Sequence, residues 1–275
     1  MTVSRPSGIA SLVEGARAVL DCPQAEGKAR LAHEVAALWR KGTLPLLAAE
    51  CALPMPDRPA RPAEPRLLPP NEMPRRTFKG PRGRFALLHS LAHIELNAID
   101  LAFDMAGRFA GEALPRAFFD DWVSVGDDEA RHFLLLQRRL AAMEGQYGDL
   151  PAHDGLWQAA EETRHDLLAR LAVVPLVLEA RGLDVTPGMI ERLTGAGDME
   201  SAAMLGVIYR DEQEHVAAGW RWFAHLCRER GLAPEETFHG LVRRHFRGLL
   251  KPPFNTAARE AAGLMPDMYE PLALR

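Results

Sequence analysis

Residues 128–136, DEARHFLLL, and residues 205–216, LGVIYRDEQEHV, each carry a Glu-x-x-His pair in a stretch of helical periodicity. The two pairs are Glu129 with His132 and Glu212 with His215. At positions i and i+3 of a helix, both side chains leave the same face and can bind one metal ion. Apolar residues surround each pair, and a carboxylate beside an imidazole is costly to bury there without a partner. A metal cation is such a partner, so these stretches predict buried helices that hold a metal.

Two single glutamates complete a repeated pattern. Glu95 and Glu179 lie in apolar helical stretches, 34 and 33 residues before the glutamate of the following pair. An antiparallel helix hairpin that turns near Gly111 would bring Glu95 and Glu129 to the same height, because the midpoint between them falls at this turn. Ferritin-like di-iron and di-manganese proteins use two single glutamates and two Glu-x-x-His pairs that point into a four-helix bundle. The chain matches that description.

The helical periodicity predicts an all-α protein. Apolar residues recur at spacings of three and four in two short stretches between residues 8 and 44, and in most of the chain after residue 83. The predicted helices after that point are 83–110, 115–146, 155–182, 187–195, 198–230, 234–248 and 255–263. They predict a ferritin-like four-helix bundle with extra N- and C-terminal helices. Gly182 and residues 184–187 predict a break just after Glu179, and Pro175 predicts another.

Proline divides the chain into three predicted parts. Nine prolines fall between Pro54 and Pro81, a density that forbids helix and favours an extended segment. The predicted parts are an N-terminal helical segment (1–51), a Pro-rich basic linker or strap (52–82) and a ferritin-like helical domain (83–275). From Asp57 to Arg84 there are eight Lys/Arg against three Asp/Glu. This stretch is either a solvated strap on the main domain or a basic arm that contacts phosphate.

Composition argues against several classes of protein. The 275 residues are 47% hydrophobic and 25% charged, and the net charge of −4 disfavours a basic nucleic-acid binder. The sequence contains no run of 18 apolar residues, so no membrane span is predicted. The first ten residues do not resemble a signal peptide. Three scattered cysteines (Cys22, Cys51 and Cys227) disfavour a disulfide scaffold or a cysteine metal site. We expect a cytoplasmic protein with no membrane partner.

The ligand types favour iron or manganese. Four glutamates would balance the charge of two divalent ions, and carboxylate with imidazole suits two iron ions, two manganese ions or a mixed pair. A metal-bound imidazole usually donates its other N–H to a carboxylate, so Asp128 and Asp211 are predicted to hold the histidine of the facing helix. Tyr209 lies one turn before Glu212 on the same face. It is either a packing residue or a redox residue beside the metals.

Other candidate ligands have a different predicted role. Glu162 and His165 form a third Glu-x-x-His pair in a polar context, roughly 21 Å from Glu179 along a straight helix. This pair therefore predicts a solvated or locally paired role. The fourth pair, Glu236 with His239, has no partner glutamate at the repeat spacing, which predicts a surface position. Structural roles are predicted for the remaining candidates, His89, His93 and Trp122.

Between about Arg82 and Leu264 the chain resembles a bacterial ferritin-like family known as domain of unknown function 455. The matching phrases are HSLAHIELNAIDLAFD, RFAGEALPRAFFDDW, DEARHFLLLQRRL, YGDLPAHDGLW, RLAVVPLVLEARGLDVTPGMIERL, YRDEQEHVAAGWRWF and KPPFNTAAREAAGL. The resemblance implies a ferritin-like fold whose metal ligands are Glu95, Glu129, His132, Glu179, Glu212 and His215. The ligand pattern also resembles that of a di-iron hydroxylase that acts on a hypermodified adenosine of tRNA.

Three classes of function are open at this point. In the first, two iron ions and O2 oxidise or hydroxylate an organic substrate, a small molecule or a nucleobase, with electrons from a separate donor. A basic cluster is weak support for a nucleic-acid substrate, because most clusters of this kind are simply solvated. The cluster comprises Arg243, Arg244, Arg247 and Lys251. In the second, the protein handles iron or peroxide without an organic substrate. In the third, it is a non-catalytic scaffold that a metal stabilises.

Overall fold

The structure is a computed structural model that describes residues 8–48, 54–69, 72–74 and 80–273. Within these ranges every regular element is a helix, and the two isolated bridges, Leu67 with Ala152 and Leu250 with Ala273, do not form a sheet. The predicted all-α class is therefore confirmed. Among the described helices, none has both the length and the apolar composition that a membrane span requires. The chain divides into two compact units, Met1–Trp157 and Gln158–Arg275.

The first unit is built around a hairpin of two long helices. Its helices are α1 (Leu12–Asp21), α2 (Ala25–Arg40), α3 (Gly80–Arg108) and α4 (Arg116–Ala142), followed by α5 (Gly155–Glu162), which contains the point of division. Helix α3 packs along α4, while α1 packs on α3 and α2 packs on α4. A Cβ atom at Gly126 of α4 would lie 2.6 Å from the Phe103 ring of α3. The absence of a side chain at Gly126 therefore allows the two long helices to approach closely.

The described part of the Pro-rich segment lies on the first unit. Arg61 donates a hydrogen bond to Asn97 Oδ1 of α3 (2.5 Å) and lies 3.5 Å from Asp100 Oδ2. Arg58 donates to Asp154 Oδ2 (2.9 Å), so two basic side chains of the segment have carboxylates of this protein as neighbours. Residues 49–53, 70, 71 and 75–79, which include three of its basic residues, lie outside the described residues. The division of the chain at residues 51 and 82 stays a prediction.

The second unit contains a long helical path with an unusual centre. Its elements are α6 (Leu167–Val173), a π-helical segment (Val174–Glu179), α7 (Ala180–Gly195), α8 (Met199–Glu229), α9 (Pro234–His245), α10 (Thr256–Ala261), α11 (Pro266–Tyr269) and a 3₁₀ turn (Glu270–Leu272). Helix α7 packs along α8, and α6 packs on α8 and α9. The π-helical segment joins α6 to α7 without a loop, so the helical backbone continues from Leu167 to Gly195.

The predicted break between Gly182 and Pro187 is wrong. Pro187 lies inside α7, where it has no N–H to donate to the carbonyl of Leu183 four residues earlier. Asn255 Nδ2 donates to that carbonyl at 3.1 Å. A side chain from a distant segment therefore satisfies the acceptor that the proline leaves without its helical partner, and the helix continues.

The break predicted at Pro175 is also wrong, and the interruption lies elsewhere. Helix α5 ends at Glu162, and α6 begins after Asp166, whose side chain accepts hydrogen bonds from the N–H groups of Leu168 and Ala169. This N-cap starts a new helix. Pro175 lies at the start of the π-helical segment, where the helix continues with a wider turn.

The π-helical segment packs closely against α8 at Gly219. A Cβ atom at Gly219 would lie 2.5 Å from Pro175 Cβ and 2.7 Å from Pro175 Cγ. We expect Gly219→Ala to lower the free energy of unfolding by about 1–3 kcal/mol, because a proline ring cannot rotate away from the added methyl group. Urea denaturation measures this change. Gly206→Ala is the matched control in the same helix: the nearest atom to its Cβ lies at 3.8 Å, so a gain of about 0.5–1 kcal/mol is expected. Equal effects in the two variants would contradict the predicted close contact.

Candidate metal centre

Helices α3 and α4 bring three of the predicted ligands together. Glu95 is 4% exposed, Glu129 is 1% exposed and His132 is completely buried. His132 Nδ1 lies 3.3 Å from Glu95 Oε2 and 3.3 Å from Glu129 Oε2. The hairpin thus places one carboxylate from each helix beside the same ring nitrogen, as the spacing of 34 residues predicts.

These carboxylates are in an electrostatically unfavourable position. Burial raises the pKa of Glu95 well above its ordinary value, and the charge of Glu129 raises it further, while the hydrogen bond with His132 acts in the opposite direction. Two anionic carboxylates that lie beside the same histidine in an apolar interior require a proton or a cation to compensate their charge. A divalent metal ion would supply that positive charge without protonating a ligand.

The second unit contains the other pair. On α8, His215 is 2% exposed, and its Nδ1 lies 3.8 Å from Glu212 Oε2. His132 and His215 therefore present the same ring nitrogen to the glutamate of their own pair. Glu179 is the last residue of the π-helical segment, and its Oε2 atom is buried. Single turns of π-helix are frequent at functional sites, because the extra residue changes the direction of the side chains.

Three of the predicted ligands form a group within the first unit that could hold a metal ion. One ligand atom from each of Glu95, Glu129 and His132 lies within 4.8 Å of the others. The other three predicted ligands, Glu179, Glu212 and His215, belong to the second unit. A possible metal cluster is therefore present, while the complete set of six ligands stays a prediction. The identity of the metal also stays a prediction, since oxygen and nitrogen donors of this kind accept several divalent ions.

Residues expected beside the ligands have contacts of their own. Asp128 accepts a hydrogen bond from Arg131 at 2.8 Å, and its side chain is 35% exposed. The Tyr209 hydroxyl accepts one from Asn255 Nδ2 at 3.0 Å. The predicted contacts of Asp128 and Asp211 with histidines stay predictions.

The other Glu-x-x-His pairs differ in outcome. Glu162 and His165 are both exposed, in line with a solvated role. The surface position predicted for the fourth pair is right for Glu236, which is exposed, but wrong for His239, which is 8% exposed. The Nε2 atom of His239 donates to the carbonyls of residues 267 and 268 at 3.0 and 3.1 Å. This histidine therefore holds the C-terminal segment against α9.

A half-buried tyrosine, Tyr147, packs on α3, which the sequence does not predict. The Tyr147 hydroxyl donates to His93 Nδ1 at 2.8 Å, and the Tyr147 ring stacks on the rings of His89 and His93. Its edge contacts Phe133, the residue after the ligand His132. Burial raises the pKa of Tyr147. Tyr147 lies in a loop without periodicity, so the sequence carries no signal for this position.

His93 predicts a dependence of stability on pH. Burial lowers the pKa of His93 to about 3, and the positive charge of Arg61 lowers it further, while the hydrogen bond to the carbonyl of His153 acts in the opposite direction. In the unfolded chain its pKa is about 6.5, so only the unfolded chain takes up a proton between these values. We expect this residue to reduce the free energy of unfolding by about 1 kcal/mol per pH unit as the pH falls from 6.5. Urea titrations at pH 7.5 and 5.5 measure the slope, and His93→Gln should remove that part. An unchanged slope in the variant would contradict the assignment.

A family model described as "Protein of unknown function (DUF455)" matches residues 21–270. The chain belongs to this family. The match runs from α2 to α11 and includes all six predicted ligands of this DUF455 protein. An "Uncharacterized protein" from Haemophilus influenzae is 42% identical over 211 residues, which cover 74% of this chain and 73% of that protein. No solved structure matches the chain.

Proposed function

We propose that this DUF455 protein is a ferritin-like di-iron oxidoreductase that uses O2 to oxidise or hydroxylate an organic substrate. The buried group of two carboxylates and an imidazole on α3 and α4 carries the proposal. Such a group has no role in a purely apolar core, because anionic carboxylates there are costly without a cation. Oxygen and nitrogen donors without thiolate favour iron or manganese over a soft metal.

The proposed ligands fall into two equivalent halves. Glu95 and the pair Glu129–His132 would hold one ion, and Glu179 and the pair Glu212–His215 would hold the other. Their four glutamate charges balance two divalent ions. Each histidine would bind its metal ion through Nδ1, because this atom lies beside the glutamate of the same pair. In the proposal, Asp128 and Asp211 fix the opposite nitrogen of each ring.

The bound metal pair would supply the electrons that pass to O2. The protein would contribute a site that excludes water. Apolar residues within four positions of the ligands are fully buried: Leu96 and Ile99 on α3, and Phe133 and Leu136 on α4. Hydroxylation of a C–H bond by O2, with formation of one water, requires two further electrons and two protons. We therefore propose an electron donor as partner, and a small molecule or a nucleobase as substrate.

O2 consumption tests this function. The protein is loaded anaerobically with Fe(II), freed of excess metal and mixed with O2 without any added reductant, so that the bound Fe(II) is the electron source. We expect O2 uptake well above the rate for the same concentration of free Fe(II), with about two iron ions per chain. Uptake no faster than that of free iron would contradict an oxidoreductase. Accumulation of many ferric ions per chain would instead favour iron handling.

A further inference from the structure

The second unit contains a cavity of about 200 Å³. One wall consists of Val177 and Leu178 of the π-helical segment and Arg181 of α7. Arg181 follows Leu178 by three positions and Val177 by four, so its side chain can lie beside both, whereas Glu179 does not line the cavity. The cavity is therefore separate from the predicted metal ligand that the same helix carries.

The remaining walls come from the segment 246–259, and most of their residues are apolar. Two phenylalanines and two leucines of residues 246–254 line the cavity. Leu249 is 50% exposed at the surface, although it is a large apolar residue. An apolar cavity with an exposed apolar edge is typical of a site that takes up the apolar part of a small molecule.

Cationic groups accompany these apolar walls. Arg181, Lys251 and Arg259 line the cavity, and the Asp184 carboxylate pairs with the two arginines. Three cations against one carboxylate leave a net positive charge. From Arg243 to Arg259 the segment contains five Lys/Arg residues and no Asp or Glu. The cavity therefore complements an anion.

The hydrogen bonding of Arg259 suits a cavity that binds an anionic ligand. The residue is 2% exposed, its Nε and Nη2 atoms donate to Asp184, and its guanidinium lies 4.5 Å from the Tyr269 ring and 5.0 Å from the Phe254 ring. Its Nη1 atom is buried and makes no hydrogen bond within the described part of the chain. A buried charged donor without an acceptor is unfavourable, and an anionic ligand would supply the acceptor.

Arg181 keeps the cavity in shape. Its Nη1 atom donates to the carbonyls of Lys251 (2.6 Å) and Pro253 (3.2 Å). These bonds fix the backbone of residues 251–253 against α7. The Lys251 side chain is exposed, so its ammonium group can reach an anion at the mouth of the cavity.

We propose that this cavity binds an amphipathic anion, a small molecule with an apolar body and one carboxylate or phosphate head group. The apolar body contacts Leu249 and the two phenylalanines, and the head group lies between Lys251 and the two arginines. The shared chemistry of carboxylate and phosphate is a compact anion that accepts charge-assisted hydrogen bonds. The site does not depend on bound metal.

Calorimetric titration of the metal-free full chain tests this proposal. Octanoate and octyl phosphate are used as probes below the concentrations at which they form micelles, with octanol as the uncharged probe and inorganic phosphate as the head group alone. We expect one site per chain for one or both anionic probes, and binding at least tenfold weaker for octanol and inorganic phosphate. The better of the two anionic probes identifies the head group.

Two surface variants locate the site. Lys251→Met, which keeps the aliphatic stem, should weaken binding of the better probe about tenfold through loss of a charge-assisted contact. Leu249→Glu should abolish it by placing a carboxylate at the mouth. Arg244→Met is the matched control, because Arg244 is exposed in the same basic segment and does not line the cavity. Equal binding of octanol and octanoate, equal losses in the Lys251 and Arg244 variants, or no binding of either anionic probe would overturn the proposal.

Discussion

Replacement of Glu129 by alanine should remove most of the metal that the protein binds. Glu129 is almost completely buried, and its Oε2 atom lies beside His132 Nδ1 in the group that also contains Glu95. Wild-type protein should retain about two iron or manganese ions per chain after anaerobic loading and desalting, if the site is dinuclear. The variant loses one of the three clustered ligands of the first unit, so we expect its metal content to fall several-fold. Elemental analysis of the desalted protein measures this.

Glu162→Ala is the matched control for this experiment. Glu162 belongs to a Glu-x-x-His pair of the same spacing, but it is exposed, so the variant should retain all its metal. Glu129→Gln separates metal binding from folding. It removes a charge that raises the pKa of Glu95, so the metal-free variant should be at least as stable as the metal-free wild type. Equal metal loss in the Glu129 and Glu162 variants, or no metal in the wild type, would contradict the proposed centre.

The second large effect concerns stability and the ion pair of Asp184. The Asp184 side chain is completely buried, and it accepts hydrogen bonds from Arg259 Nε at 2.8 Å, from Arg259 Nη2 at 2.7 Å and from the backbone N–H of Asn255 at 2.9 Å. We expect Asp184→Ala to lower the free energy of unfolding by about 3–5 kcal/mol, because it leaves a buried guanidinium without its carboxylate. The loss should appear in urea denaturation as a lower midpoint.

Glu260→Ala is the control for the ion pair. Glu260 follows Arg259 directly but is exposed, so its removal should change the free energy of unfolding by less than about 0.5 kcal/mol. The double variant with Asp184→Ala and Arg259→Met should recover part of the lost stability, since it removes the unpaired charge as well. A double variant less stable than Asp184→Ala alone would show that the arginine stabilises the unit by another contact.

The sequence predicts the first half of the candidate centre well. The helices that carry Glu95, Glu129 and His132 are joined by a short turn. The number of residues between a ligand and this turn therefore determines the ligand's position along the hairpin. For Glu179 the prediction had a weaker basis, because Gly182 and Pro187 suggested a loop beside it. The π-helical segment that ends at Glu179 has no periodicity of its own by which a sequence pattern could reveal it.

The amino-acid sequence by itself determined the helical class, the two Glu-x-x-His pairs and the two single glutamates, because helical periodicity and ligand spacing are local properties of the chain. Only the tertiary structure decided that α7 continues through Pro187, since the donor to the Leu183 carbonyl comes from Asn255, 72 residues away. It also decided that Tyr147 lies beside His93 and that Arg259 is buried against Asp184. In each case the partner lies far along the chain, and no local pattern specifies which distant group will satisfy a buried polar atom.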